Sequence, residues 1–306
     1  MDSENPLGEF LRARRTLLRP EDIGLVVSGR RRVPGLRREE VAALADVSHD
    51  YYVRMEQGRE RHPSAQVVEA LARALELEPD AAEHLWRLAR PHPAPSRSPA
   101  AHEQVSPTLL RMVTDWHRTP AVVLGSGLRV LAHNTLGQAL FAGHAYSGDL
   151  LRMVFLDPDA RDFYPDWEQV AANTVAGLRP ADGGGHDDPA LVRTVGELSL
   201  RSPEFRRLWA RHDVRRKTHD SKRFRHPLVG ELTLDYESLT VNSAPGQQLV
   251  VYQAAPGSAS EQALTLLGSL AADGAHVEDR EDRGPTPADP AQAGADPGPG
   301  DRASQV

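Results

Sequence analysis

Three groups of side chains in this 306-residue chain have the types and spacing to do chemistry. The first lies in LADVSHDYYVRMEQGR, Leu44 to Arg59, where Ser48, His49 and Asp50 stand ahead of the apolar anchors Tyr52 and Met55. A helix buried on all sides does not open on three polar residues. If Tyr52 and Met55 hold it to a body, then His49, Asp50, Val53 and Arg54 project outward and offer donors and acceptors to a partner. The second group is Arg30, Arg31, Arg32, Arg37 and Arg38, within nine residues that contain no acid, a local patch of the kind a phosphate backbone feels. The third is HDVRRKTHDSKRFRH, with His212, His219 and His226 as candidate metal ligands. Their spacing of seven misses the three or four that places two ligands on one helical face. The basic residues among them oppose a cation, so metal binding and metal-dependent hydrolysis rank low, and neither metal nor cofactor is expected.

The elements that must position these residues follow from periodicity and caps. Leu7, Phe10, Leu11 and Leu18 recur at helical spacing, and RREEVAALA sets Val41, Leu44 and Ala45 on one side of a second helix. Ser48 caps a third, which ends before Gly58. Pro63-Ser64 opens a fourth with a stripe of Val67, Leu71 and Leu75, and Pro79-Asp80 opens a fifth with Leu85 and Leu88. Only Asp46 and Val47 join the second and third helices. That is too tight for an antiparallel hairpin and suits a near-perpendicular helix-turn-helix, whose second helix enters a major groove from its N-terminal end. The long loop RPEDIGLVVSGRRRVPGLRREE delivers Arg30, Arg31 and Arg32 beside it, suited to phosphate or a minor groove.

Composition bounds the rest. The net charge of −7 argues mildly against nucleic acid, but residues 1–90 alone lie within one charge of neutral. Arginine outnumbers lysine 34 to 2, a bias that carries no functional weight by itself. The absence of cysteine excludes disulfides, thiolate zinc sites and a cysteine nucleophile, and fits a cytoplasmic protein. No apolar run approaches the roughly 18 residues of a membrane span, and the N-terminus lacks an export signal, so no membrane partner is expected. No GxSxG elbow, GxxxxGK[ST] loop or GxGxxG turn occurs.

The N-terminal motifs resemble those of the Cro/repressor-like (XRE) helix-turn-helix family: Glu40-Val41-Ala42, Val47-Ser48, Tyr52 to Glu56, Gly58-Arg59 and Pro63-Ser64. The resemblance implies double-stranded DNA as partner, with base contacts from His49, Asp50 and Arg54 and backbone contacts from Arg38, Ser48 and Arg59; Val53 joins the base contacts by its outward position, and Arg37, Arg30, Arg31 and Arg32 join the backbone contacts as part of the basic patch. Arg54 has the geometry for guanine O6 and N7, and Asp50 for cytosine N4. Two positions depart from the pattern. Asp46 stands at the turn where the family has glycine, and Arg37 at the usual threonine cap, so that Glu39 and Glu40 must satisfy the helix dipole.

After a proline-rich linker at 91–105 the pattern changes. AVVLG and RVLAHN read as a hairpin, followed by helices at NTLGQALFAG, DWEQVAANTVAGLR, PALVRTVGELSL and SPEFRRLWARH. Strands follow at SKRFRHP, GELTLDYESLTV and QLVVYQA, and then a last helix. This order predicts an α+β, PAS-like domain over 106–271, a five-stranded antiparallel sheet with helices on one face and a pocket between them. Residues 272–306, rich in Pro, Gly, Ala and Asp, read as a disordered acidic tail. LLRMVFLDPDAR, DWEQVAANTVAGLR, SPEFRRLWARHDV, KRFRHPLVGELTLDYESL and LVVYQAAPGS are similar to the ligand-binding domain of MmyB-like actinobacterial regulators. That resemblance implies a one-component transcription factor sensing a small, apolar or amphipathic effector. Candidate pocket residues are Phe155, Tyr164, Trp167, Phe205, Trp209, His212, Phe224, His226 and Tyr236, with Asn134 and Arg225 as further orienting groups. A protein-interaction module or a hydrolase-like second domain is the lower-ranked alternative. A homodimer on an inverted repeat is expected, because one module of five short helices buries too little DNA to be selective.

Overall fold

The structure, a computed structural model, describes residues 5–25, 33–90, 104–178, 189–214 and 219–281, with side chains left out at 189 and from 274. In the N-terminal part, α1 (Pro6–Leu17), α2 (Arg38–Leu44), α3 (His49–Glu56), α4 (Ala65–Ala74) and α5 (Pro79–Ala89) enclose one core. Asn5, Ser48 and Ser64 cap α1, α3 and α4 by accepting from the amides of Gly8, Tyr51 and Val67. Leu7, Phe10, Leu11, Val41, Tyr52, Met55, Val68, Leu71 and Leu85 fill the core. Leu44 does not, being 42% exposed: the inward stripe of α2 runs through Val41, Ala42 and Ala45, and Leu44 falls on the far side. In α4 the inner residue is Val68, with Val67 half-buried.

The second part holds a sheet of β1 (Ala121–Leu124), β2 (Val130–His133), β3 (His219–His226), β4 (Gly230–Thr240) and β5 (Gln248–Gln253). Its order is β2-β1-β5-β4-β3, antiparallel throughout. The expected strands are all present, but helices lie on both faces, not one. The main core sets Val122, Leu124, Phe224, Leu232, Leu234, Tyr236, Val250 and Tyr252 against helices that include α7 (Thr135–Leu140) and α13 (Ala259–Glu281). Val123, Ala121 and Leu249 point the other way and meet α6 (Pro107–Thr114) through Val113 and Leu109. All four residues of β1 are therefore buried, which is why AVVL is uniformly apolar and does not alternate.

Two helices were not expected from periodicity: α8 (Leu150–Leu156), capped by Asp149, and the single turn α9 (Ala160–Phe163). Both are too short and too buried to show a 3.6-residue pattern. After them come α10 (Trp167–Ala176), α11 (Pro189–Arg201) and α12 (Pro203–Trp209), the last capped by Ser202 as its Ser-Pro start predicts. Helix α13 runs to Glu281, ten residues into the segment expected to lack structure. A helix already nucleated lengthens at little cost through Ala, Glu and Arg. The rest of that tail lies outside the described residues, as do linker residues 91–103.

Candidate DNA-reading face and ligand cavity

The turn between α2 and α3 is built on Asp46, at φ 52°, with the amide of Val47 donating to Ala42 O at 3.0 Å. Asp tolerates this left-handed conformation better than most residues, so the missing glycine leaves the motif intact. At the start of α2, the amide of Arg37 donates to Glu40 Oε2 at 2.6 Å. Glu40 thus does the capping work that the Arg37 side chain has no acceptor to do.

Helix α3 buries Tyr52, Met55 and Glu56 and leaves His49, Asp50 and Arg54 exposed, with Val53 half-buried beside them. The outward face is the one expected. Arg54 rests over the Tyr51 ring, 5.6 Å from its centroid. Ser48, Arg37 and Arg59 are exposed around it. Arg30, Arg31 and Arg32 lie outside the described residues.

A clamp that periodicity did not reveal fixes this helix. The Glu56 carboxylate, fully buried, accepts from Arg15 Nε at 2.6 Å and from Arg38 Nε at 2.7 Å, and Arg15 Nη1 also donates to Leu36 O at 2.8 Å. Burial pushes the Glu56 pKa up, but the hydrogen bonds from Arg15 and Arg38 outweigh it, and the net shift is downward. Glu56 therefore ties the end of α3 to α1 and to the start of α2. Arg38, assigned to the DNA backbone on sequence grounds, spends its Nε on this clamp, with its side chain 37% exposed. The chain then turns at Gly58, where φ is +71° and a Cβ would come within 2.7 Å of Asn5. Asn5 Nδ2 donates to Glu56 O at 2.9 Å, closing the same corner. The only hint in the sequence was a glutamate standing at an otherwise apolar position of α3.

In the second part, a cavity of about 30 Å³ lies between the sheet and α8 and α10. Its lining combines apolar Leu124, Leu128, Leu150, Val154 and Val250 with Tyr164, Thr174, Lys222, Tyr236, Ser238, Gln248 and Tyr252, which carry polar atoms. Of the eleven pocket candidates, Tyr164 and Tyr236 line it. Phe224 and Phe205 are fully buried core, and Phe155 packs edge-on to Phe205 and Trp167. Trp167 donates from Nε1 to Val154 O at 2.8 Å and carries Arg161 on its face. Trp209 stacks on Phe205, and His212 occupies a left-handed turn at φ 51°. His226 is buried with Nε2 at 3.1 Å from Ala139 O, and desolvation lowers its pKa. Arg225 points to solvent near Glu231. Asn134 is an architectural hub: Oδ1 accepts from the amides of Ala121 and Gly137, and Nδ2 donates to Trp116 O and Thr119 O. Those four bonds use its whole capacity. The sequence pointed to aromatics in bulk, whereas the cavity selects by register, and Lys222, Thr174, Ser238, Gln248 and Tyr252 were missed.

Among the described residues, the two parts meet at a charged contact. Arg14 Nη1 on α1 lies 2.7 Å from Asp213 Oδ1, Arg211 Nε lies 2.9 Å from Asp213 Oδ2, and Val214 packs against the N-terminal core. A polar cleft of about 560 Å³ surrounds this contact, lined by residues that include Arg14, Asp80, Gln169, Asn173, Arg211 and Asp213. Helix α10 therefore serves both sites, with Thr174 on the inner cavity and Gln169, Ala172, Asn173 and Ala176 on the cleft. None of the outward residues of α3 lines that cleft.

A helix-turn-helix with a free polar face, joined to a sheet domain that encloses a small cavity, defines a DNA-binding regulator with a ligand-binding domain. Comparison with known families gives the same division. Residues 6–85 match a helix-turn-helix domain, and residues 105–267 match the MmyB-like transcription regulator ligand binding domain. The chain belongs to this MmyB-like family of transcription regulators. No curated protein matches it. Among the described residues no helix is long and apolar enough to cross a membrane.

Proposed function

We propose that this regulator is a cytoplasmic one-component sensor that recognises a specific DNA sequence as a homodimer on an inverted repeat and responds to a small apolar or amphipathic effector. The observation that carries it is the exposed row of His49, Asp50 and Arg54 on a helix whose other side is locked by Glu56. A rigidly held helix presenting side chains with defined hydrogen-bonding capacity discriminates among base edges. Arg37, Ser48 and Arg59 flank that row and suit phosphate contacts that set register, with Arg30, Arg31 and Arg32 adding sequence-independent charge. The sheet order β2-β1-β5-β4-β3 with helices over its main face supports a PAS-like sensor, and the apolar residues lining the cavity support an effector with a hydrocarbon part.

Effector binding reaches DNA on this reading through the second domain's hold on α1 at Arg14–Asp213, which requires the effector to favour one arrangement of the two domains over another. Selection of bound sequences from a random DNA pool tests the reading. A recovered palindrome with half-site centres ~34 Å apart, or a multiple, is the expected result. Recovery of a single asymmetric site bound by a monomer would remove the homodimer and the inverted repeat.

A further inference from the structure

Strand β3 places Lys222, Phe224 and His226 on the face that looks into the domain, since side chains two apart share a side. Phe224 and His226 are buried core, and Lys222, half-buried, reaches the cavity. Its neighbour Arg223, on the outer face, is clamped by Asp166 at 2.6 and 2.5 Å. Lys222 makes no ion pair among the described residues; its ammonium lies over the Tyr236 ring, 4.9 Å from the centroid. Beside it in the cavity wall are the hydroxyl-bearing residues Tyr164, Tyr252, Thr174 and Ser238. The chain uses arginine for positive charge 34 times and lysine twice, and one of those two lysines stands here.

We propose that Lys222 is a nucleophilic amine that captures a carbonyl-bearing effector, an aldehyde or reactive ketone, as a reversible imine; the proposal rests on the reading of this cavity as the effector pocket. Had the cavity been built for a carboxylate, arginine would serve better, because its planar fork matches that group and never gives up its proton. Lysine is the basic residue that turns into a nucleophile on losing a proton, and an apolar enclosure favours that loss. Burial here lowers the Lys222 pKa to about 8, with Asp220 acting in the opposite sense. Roughly a tenth of such an amine is neutral at pH 7, on the order of a hundredfold more than for an exposed lysine.

The reaction balances without any further reagent. The amine lone pair attacks the carbonyl carbon, a C–N bond forms, and the C=O π pair moves onto oxygen. A proton passes from nitrogen to that oxygen to give a carbinolamine. The hydroxyl takes a proton from solvent and leaves as water while the nitrogen lone pair closes the C=N bond, and the resulting iminium gives its N–H proton back to solvent, so that aldehyde plus amine yields imine plus water. Burial raises the pKa of Tyr164 and Tyr252, which keeps both phenols protonated and able to donate to the carbonyl oxygen. A cavity of about 30 Å³ takes the carbonyl head, and the hydrocarbon part has to displace the apolar lining residues. Hydrolysis of the imine releases the effector, as a sensor requires.

The test treats the full chain with hexanal and cyanoborohydride at pH 7 and maps the reductively alkylated amines by mass spectrometry, with 1-hexanol as a control that has the chain but no carbonyl. Only two lysines and the α-amine compete, so assignment is direct. The expected result is a mark on Lys222 exceeding that on Lys217 by about 10-fold or more in the native protein, falling to parity in denaturing urea. Lys222→Arg should keep its melting temperature and its α-amine mark while losing the mark at 222. Equal marking of the two lysines in the native protein, or no mark at Lys222, overturns the proposal. If hexanol still raises the melting temperature in that event, the cavity stands as an effector pocket without a reacting lysine. If hexanol has no effect either, the pocket reading falls with it.

Discussion

Glu56 and Lys222 are both withdrawn from water, and the chain treats them in opposite ways. Glu56 is met by two arginines at hydrogen-bond distance, so its charge is neutralised in place and its pKa falls. Lys222 is met by an aromatic face, hydroxyl-bearing neighbours and the more distant Asp220, which together do not outweigh its burial, so its pKa falls in the sense that favours the neutral form. A fully partnered buried charge joins elements together and leaves nothing for a ligand to find. One left without an ion-pair partner in contact carries a standing cost in the folded protein and keeps its chemistry available.

The hardest way to break this contrast is Glu56→Ala. It strands the buried Arg15 without its carboxylate, leaving only Leu36 O as acceptor, and loss of one member of a buried pair costs about 3–5 kcal/mol. Loss of amide protection across α1 to α5 in hydrogen exchange is the expected outcome; unchanged protection would mean the clamp is ornamental. The pH dependence sharpens the same point. Because the folded pKa of Glu56 lies below its unfolded value, the clamp stabilises fully above the ordinary carboxylate range, ~4.3. That contribution disappears as the pH falls through the lower, folded value.

Arg54→Ala comes next. Its charge is exposed and unburdened by any clamp, so stability should be nearly unchanged while discrimination among operator variants drops by about 1–3 kcal/mol. Competition binding with operator and random DNA measures this, and equal losses on both would remove Arg54 from the base contacts.

Lys222→Met should stabilise the second domain at pH 7, by about 1 kcal/mol once partial exposure is allowed for. In the wild type the unfolded lysine holds its proton up to ~10.4. The folded one releases it near 8. Stability should therefore rise with pH across that window and be flat below it, and the mutant should lose the slope. Denaturant titrations at pH 7, 9 and 11 would show it, and parallel curves for the two proteins would mean that Lys222 carries no cost.

The smallest effect belongs to Asp213→Ala. The pair Arg14–Asp213 is a partly exposed ion pair, with side chains 18% and 32% accessible, so its loss should change stability by no more than about 1 kcal/mol. Its effect should appear in the coupling of the domains instead. A double-mutant cycle with Arg14→Ala, read out as DNA affinity, separates the pair from its surroundings.

Much of this was legible in residue order. The N-terminal helices other than α2 announce themselves through Ser or Pro near their starts, and all five through apolar stripes such as Phe10-Leu11 and Leu71-Leu75, and the outward face of α3 follows from its anchors at Tyr52 and Met55. The strands follow from alternation, most plainly in GELTLDYESLT, where Leu232, Leu234 and Tyr236 turn inward. The hidden features depend on neighbours distant in the chain. α6 covers the second face of the sheet because β1 pairs with β5, some 130 residues later, and that pairing sets which side Val123 takes. Eleven large or polar residues of the second domain looked equally fit to bind a ligand; Asn134 and Phe224 were claimed by architecture and Tyr164 and Tyr236 were left to the cavity.

Local order determined what depends on local energies: caps, helical stripes, the short turn at Asp46 and the alternation of β4 all act within a few residues, so their physics is written consecutively. Only the tertiary structure decided the partners of buried charge. Glu56 found Arg15, forty-one positions away, and Arg14 found Asp213, 199 positions away. Lys222 was left facing a cavity assembled from residues between Leu124 and Tyr252. Desolvation and ion pairing act through space, and the same lysine in an exposed strand would be an ordinary cation.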